Sequence, residues 1–225
     1  MAQPKILPNQ IDTSSQFDFS AGISLNNNLV LPKTTNIGIK VDTTTPTFGW
    51  HDLLGQIQVR GTGAQDPAWV QYQGVIYQYQ FTLNDEVTLC YHIPHDYVPG
   101  SDLFIHTHWS LIGAGITQNC TWQFDATYAK GYNQGAFPAV TTVSVLQASS
   151  TTQYQHMIAE VQLTTSGALG GVAIEVDGLI LVRIILSANS GTGTGTSRPF
   201  MHTADIHYQS TAIPTKQKNG PGFYT

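Results

Sequence analysis

The sequence predicts an all-β protein, a jelly-roll β-sandwich of about eight strands with an extended N-terminal arm. Three observations predict it. From residue 48 onward, short runs of β-branched and aromatic residues alternate in facing and recur between Gly, Pro, Asn and Ser turns. No window carries the apolar spacing of an amphipathic helix. Many short strands at this spacing, in a chain of 225 residues, imply two packed sheets.

Met1 to Thr47 reads as the arm. It is rich in Asn, Thr, Ser, Gln and Pro, and its apolar pieces (Ile23 to Leu25, Leu29 to Leu31, Ile37 to Val41) are too short to stand alone as strands. They recur too regularly for a plain linker, so a partner surface is expected to order the segment. The compact domain is expected to span 48–225. Phe48-Gly-Trp-His-Asp-Leu-Leu-Gly55 opens it, with Phe48 and Trp50 as the residues that anchor the arm.

Strands are then expected over Ile57 to Arg60 and Gly74 to Leu83, with Asn84-Asp85 as the turn into Glu86 to Ile93. Pro94 and the Pro99-Gly100 turn lead into the clearest strand, Asp102 to Ile112. Strand alternation there sets Leu103, Ile105, Thr107 and Trp109 on one face and Phe104, His106, His108 and Ser110 on the other. Rings on both faces imply that both are covered. Further strands are Asn119 to Lys130, Pro138 to Gln147, His156 to Thr165, Ala173 to Ala188 and Phe200 to Ser210. The Gly-Thr repeat after Asn189 lacks the lysine and the helix that a phosphate cradle needs, so it reads as a loop between strands.

Composition narrows the function. Only 10% of residues are charged, against roughly 25% in ordinary soluble domains. A surface so poor in charge suits permanent contact with partners. The nine Lys plus Arg are scattered in a chain of net charge −5, which leaves no basic patch for nucleic acid. Met-Ala-Gln-Pro-Lys5 has no apolar leader region and no apolar run is of membrane-spanning length, so neither export nor a membrane is expected. Cys90 and Cys120 are expected to be reduced, buried thiols.

His106-Thr-His108 sits where the cupin metal motif would begin, after Gly100. The glutamate that motif requires after three or four intervening residues is replaced by Ile112 and Gly113. His92, His156, His202 and His207 are further donors, but no spacing links them to the pair. The pair is therefore expected to be hydrogen-bonded side chains with no metal and no cofactor, a cupin-like metal-binding protein being the alternative. Arg183 lies inside an apolar run and needs a carboxylate partner, with Glu160, Glu175, Asp177 and Asp205 as candidates, in this chain or a neighbour. No Gly-x-Ser-x-Gly, His-Glu-x-x-His or activated-cysteine pattern exists, so no enzyme activity is expected.

The run Ile37-Gly-Ile-Lys-Val-Asp42 through Thr47-Phe-Gly-Trp-His-Asp-Leu-Leu-Gly55, with His92-Ile-Pro-His-Asp-Tyr97 and His106-Thr-His-Trp109, resembles virion structural proteins of tailed bacteriophages. The resemblance is to the capsid decoration (cement) and fibre-head type, and it extends over most of the chain. It implies a homotrimer of jelly rolls, attached to the major capsid protein by the N-terminal segment, made in the host cytoplasm and resident on the capsid surface, with no catalytic residues. Three-fold contacts would bury the strand bearing Phe104, His106, His108 and Trp109, or the strand bearing Arg183. A fibre-tip or receptor-binding module is the alternative, which an exposed patch among Tyr72, Tyr77, Trp122 and Tyr128 would favour.

Overall fold

The computed structural model describes residues 48–61, 65–115, 118–191 and 198–212. The proposed arm, 1–47, lies outside the described residues. Twelve strands and no helix are present among those described. They are β1 (Gly49–Leu54), β2 (Ala68–Gln73), β3 (Ile76–Gln80), β4 (Glu86–His92), β5 (Phe104–Ser110) and β6 (Gln118–Ala129). The second half supplies β7 (Thr141–Ala148), β8 (Met157–Gln162), β9 (Ala168–Leu169), β10 (Val172–Ala173), β11 (Leu179–Gly191) and β12 (Phe200–Ser210).

One sheet runs β2-β3-β12-β5-β8, with β1 also paired to β12; the other runs β4-β11-β6-β7. Within them, β3-β12-β5-β8 and β4-β11-β6-β7 form the two four-stranded sheets of a jelly roll, every pair antiparallel. The expected eight strands are this core. The further four are β1 and β2, which widen the first sheet, and the small β9–β10 hairpin.

The alternation read from the sequence places the core. Leu103, Ile105 and Trp109 from the first sheet meet Trp122, Phe124, Ala126 and Tyr128 from the second, all fully buried. Trp109 and Trp122 pack edge to face at 6.1 Å, and the Trp109 indole donates to Gln147 Oε1 at 2.6 Å. Trp109 is thus a core residue and unavailable to a subunit interface, a correction to its place among the interface candidates. The strand's other face is the one that looks outward.

Several expectations fail locally. Ile57 to Arg60 forms no strand; only Gln58 bridges to Thr88. The stretch Ala68–Gln73, where no strand is expected from the sequence, is β2, its Trp69 and Gln71 pairing with Tyr79 and Tyr77 of β3. Cys90 is exposed on the outward face of β4, so only Cys120 is a buried thiol, its pKa pushed up to about 11 by burial. The turn positions do hold: Asn84 takes the left-handed φ of 71° at the β3–β4 turn.

Candidate functional site

The outer face of the first sheet carries a cluster of histidines and carboxylates where an antiparallel sheet would ordinarily show simple polar residues. Four strands of this sheet build it, β1, β5, β8 and β12. In the β5–β12 register His106 faces Asp205, and in the β5–β8 register it faces Glu160. On β1, Asp52 lies opposite His207 of β12. Alternation then points His106 and His108 of β5, Asp205 and His207 of β12, Glu160 of β8 and Asp52 of β1 to one side of the sheet.

Contacts within the cluster are short. Asp205 Oδ1 accepts from His106 Nε2 at 2.5 Å and from His108 Nε2 at 2.9 Å. His207 stands between two carboxylates, with Nδ1 at 2.7 Å from Glu160 Oε2 and Nε2 at 2.9 Å from Asp52 Oδ1. His156 Nε2 lies 2.6 Å from His108 Nδ1, the two rings stacked at 4.8 Å. His106 is only 1% exposed, and its Nδ1 has no hydrogen-bond partner among the described residues; Glu160 Oε2 is its nearest carboxylate oxygen, at 3.8 Å.

The electrostatics follow from this packing. Burial would raise the Asp205 carboxyl, but the two imidazoles donating to it hold it far below the ordinary carboxylate value. Burial disfavours a charged His207, yet Asp52 and Glu160 outweigh it and push the pKa up to about 9. His202, next along β12, is instead lowered to about 4 by burial, with His156 and His108 adding repulsion.

Two triads here have the donor types and proximity of a metal centre: His106, Glu160 and His207, and His106, His108 and Asp205. In each, one donor atom per residue lies within 4.8 Å of the others. The sequence singled out His106 and His108 but not Glu160, Asp205 or Asp52 as their neighbours. The usable signal was Asp205-Ile-His207, a second pair two apart on a strand. What was missing was the β5–β12 pairing, a contact between residues distant in sequence.

Nucleophilic chemistry is poorly served. Ser110 Oγ lies 2.8 Å from His202 Nε2, but Ser110 is fully buried, shares its hydroxyl with Tyr72 at 2.7 Å, and no carboxylate orients His202 among the described residues. His95 and Asp96 also separate: His95 reaches Asp177 at 3.0 Å, while Asp96 accepts from Tyr208.

The remaining candidates are dispersed. Phe104 flanks the cluster and packs edge to face on Trp50 at 5.6 Å, so Trp50 anchors β1 to β5; Phe48 is half-buried. Arg183 faces out of the second sheet and is paired within the chain, to Asp125 at 2.5 Å and Glu86 at 3.0 Å. None of its four expected partners is used. It lines a groove of about 640 Å³ with Gln58, Gln123, Thr127 and Leu181, without an aromatic platform. Of the four aromatics considered for a receptor patch, Trp122 and Tyr128 are core and Tyr72 is half-buried, leaving Tyr77 exposed.

No family model matches the chain and no curated protein matches it. Among solved structures it is similar to the CBM35 module from Cellvibrio japonicus Abf62, at 12% identity and TM-score 0.33, over 72% of this chain and 99% of that one. The CBM22-1 xylan-binding domain from Paenibacillus barcinonensis Xyn10C matches at 12% identity and TM-score 0.33, over 73% and 88%. Eiger TNF from S. frugiperda matches at 9% identity and TM-score 0.28, over 77% and 98%. Likenesses this slight assign no function to the chain, whose class rests on its own strand order: an all-β jelly-roll sandwich.

Proposed function

We propose that this chain is a non-enzymatic structural protein of a bacteriophage virion, a homotrimer that decorates the capsid and holds neighbouring capsid subunits together. The observation that carries the reading is the β2–β3 hairpin at the edge of the first sheet. Trp69, Val75, Ile76 and Tyr77 there are 57%, 93%, 54% and 46% exposed. Sheet edges are usually blunted with charge, and a cluster of exposed apolar groups on an open edge marks a contact surface. The charge-poor composition and the resemblance of the His92–Tyr97 and His106–Trp109 segments to capsid-decoration proteins support the same reading.

Light scattering coupled to size exclusion tests the assembly, and a mass three times the 24.5 kDa chain is expected. A monomer at micromolar concentration would sink the trimer. Quantitative mass spectrometry of particles carrying the protein tests its place. Copies comparable to the major capsid protein fit cementing, whereas a handful per particle would make it a fibre-tip module instead.

A further inference from the structure

We propose that the outer face of the first sheet binds one divalent transition-metal ion of the zinc class, held by His106 Nδ1, Glu160 Oε2 and His207 Nδ1. The starting point is the buried Nδ1 of His106, which lacks a hydrogen-bond partner among the described residues although its ring is 99% buried. A buried imidazole nitrogen left without a partner is costly. It lies 3.8 Å from Glu160 Oε2, which in turn lies 2.7 Å from His207 Nδ1. Ligand atoms on a tetrahedral ion with bonds of about 2.0–2.1 Å stand about 3.3 Å apart, between these two separations.

The far nitrogens support the same placement. His106 Nε2 donates to Asp205 and His207 Nε2 to Asp52. For His106 this fixes the tautomer that leaves a lone pair on Nδ1, on the side of Glu160. His207 Nδ1 is hydrogen-bonded to Glu160 Oε2, so an ion entering there displaces the proton between them while Asp52 keeps hold of Nε2. The rings of His106 and His207 lie 4.2 Å apart. Two imidazoles and one carboxylate suit zinc, cobalt or nickel, whereas calcium and magnesium demand mostly oxygen ligands. The rival triad of His106, His108 and Asp205 is the poorer cradle. All three of its donor atoms stand only 2.5–3.0 Å apart, closer than ligand atoms on one tetrahedral ion, and none of them is a buried nitrogen without a partner. The three ligands come from three neighbouring strands, β5, β8 and β12, so the ion would tie the middle of the sheet to its edge.

The test uses the full chain, stripped with chelator, checked by circular dichroism and titrated with Co(II) and Zn(II). One Co(II) per chain with the intense visible absorption of a tetrahedral site is expected, displaced by one equivalent of Zn(II). Glu160→Gln should abolish that spectrum. Asp52→Asn, at a side chain 57% exposed, should weaken binding by about 10-fold or more while circular dichroism stays that of the parent. His108→Gln should retain the ion. Folded wild-type protein that shows only the pale spectrum of hydrated Co(II) would overturn the proposal. So would loss of the ion in His108→Gln with retention in Glu160→Gln.

Discussion

Arg183 shows how a single side chain is made tolerable on an apolar strand. Its guanidinium bridges Asp125 and Glu86, which are 8% and 10% exposed, while its own side chain is 46% exposed. Removing the cation leaves Asp125 with only the neutral donors Thr142 and Gln123, while Glu86 keeps Arg60 at 3.1 Å. Arg183→Ala is expected to cost about 1–2 kcal/mol in urea denaturation at neutral pH, a figure kept low because solvent screens the half-exposed guanidinium. Burial raises the Asp125 carboxyl, but Thr142, Arg183 and Gln123 together hold it below its ordinary value. Its contribution is therefore present above the unfolded carboxylate value, about 3.9, and is lost as pH falls through the lower folded one. Arg183→Ala should flatten that part of the acid limb. His202 has a separate signature: burial lowers it to about 4. The unfolded chain takes up that proton first, so stability should fall as pH drops from about 6.5 to about 4, by up to about 3 kcal/mol, and level off below. His202→Gln should remove this slope from a series of denaturation curves.

At the level of elements, the loops are as constrained as the strands. The β4–β5 loop meets the turn after β8 where Gly167, at φ 67°, packs against Gly100; a Cβ on Gly167 would sit 2.6 Å from the Gly100 Cα. Asp102 locks the contact by accepting from the Gly167 amide at 2.8 Å and the Thr164 hydroxyl at 3.0 Å. Gly167→Ala meets both a disfavoured backbone and a neighbour that cannot yield, and should lower the unfolding free energy by about 2–4 kcal/mol. A melt near that of the parent would mean the turn can open. How much was legible in the sequence divides along this line. Alternation in Leu103 to Trp109, Trp122 to Tyr128 and Met157 to Leu163 gave the facing of β5, β6 and β8, because facing is a local property. The edge strand β2 and the partners of Arg183 were not legible, since both depend on which strand lies alongside. The candidate site failed for the same reason: His106 and Asp205 meet only because β12 returns beside β5.

For the whole molecule, the exposed hairpin and the outward cluster are the surfaces not explained by the core. If the hairpin makes the subunit contact, Ile76→Lys should convert the trimer to monomer in light scattering while circular dichroism stays unchanged, since Ile76 is 54% exposed. A trimer that survives both Ile76→Lys and Val75→Lys would place the contact elsewhere. The pairing of β1 with β12 carries a mechanical consequence. Gly49, where β1 begins, sits opposite Ser210, where β12 ends, and the two strands run antiparallel. Tension applied through the segments that flank them would reach this pair first and at its open end. The six residue pairs from Gly49–Ser210 to Leu54–Asp205 would then separate in succession, as in unzipping, rather than sharing the load in shear. Pulling on a single molecule should therefore release β1 at low force as a separate early step, before the jelly-roll core yields.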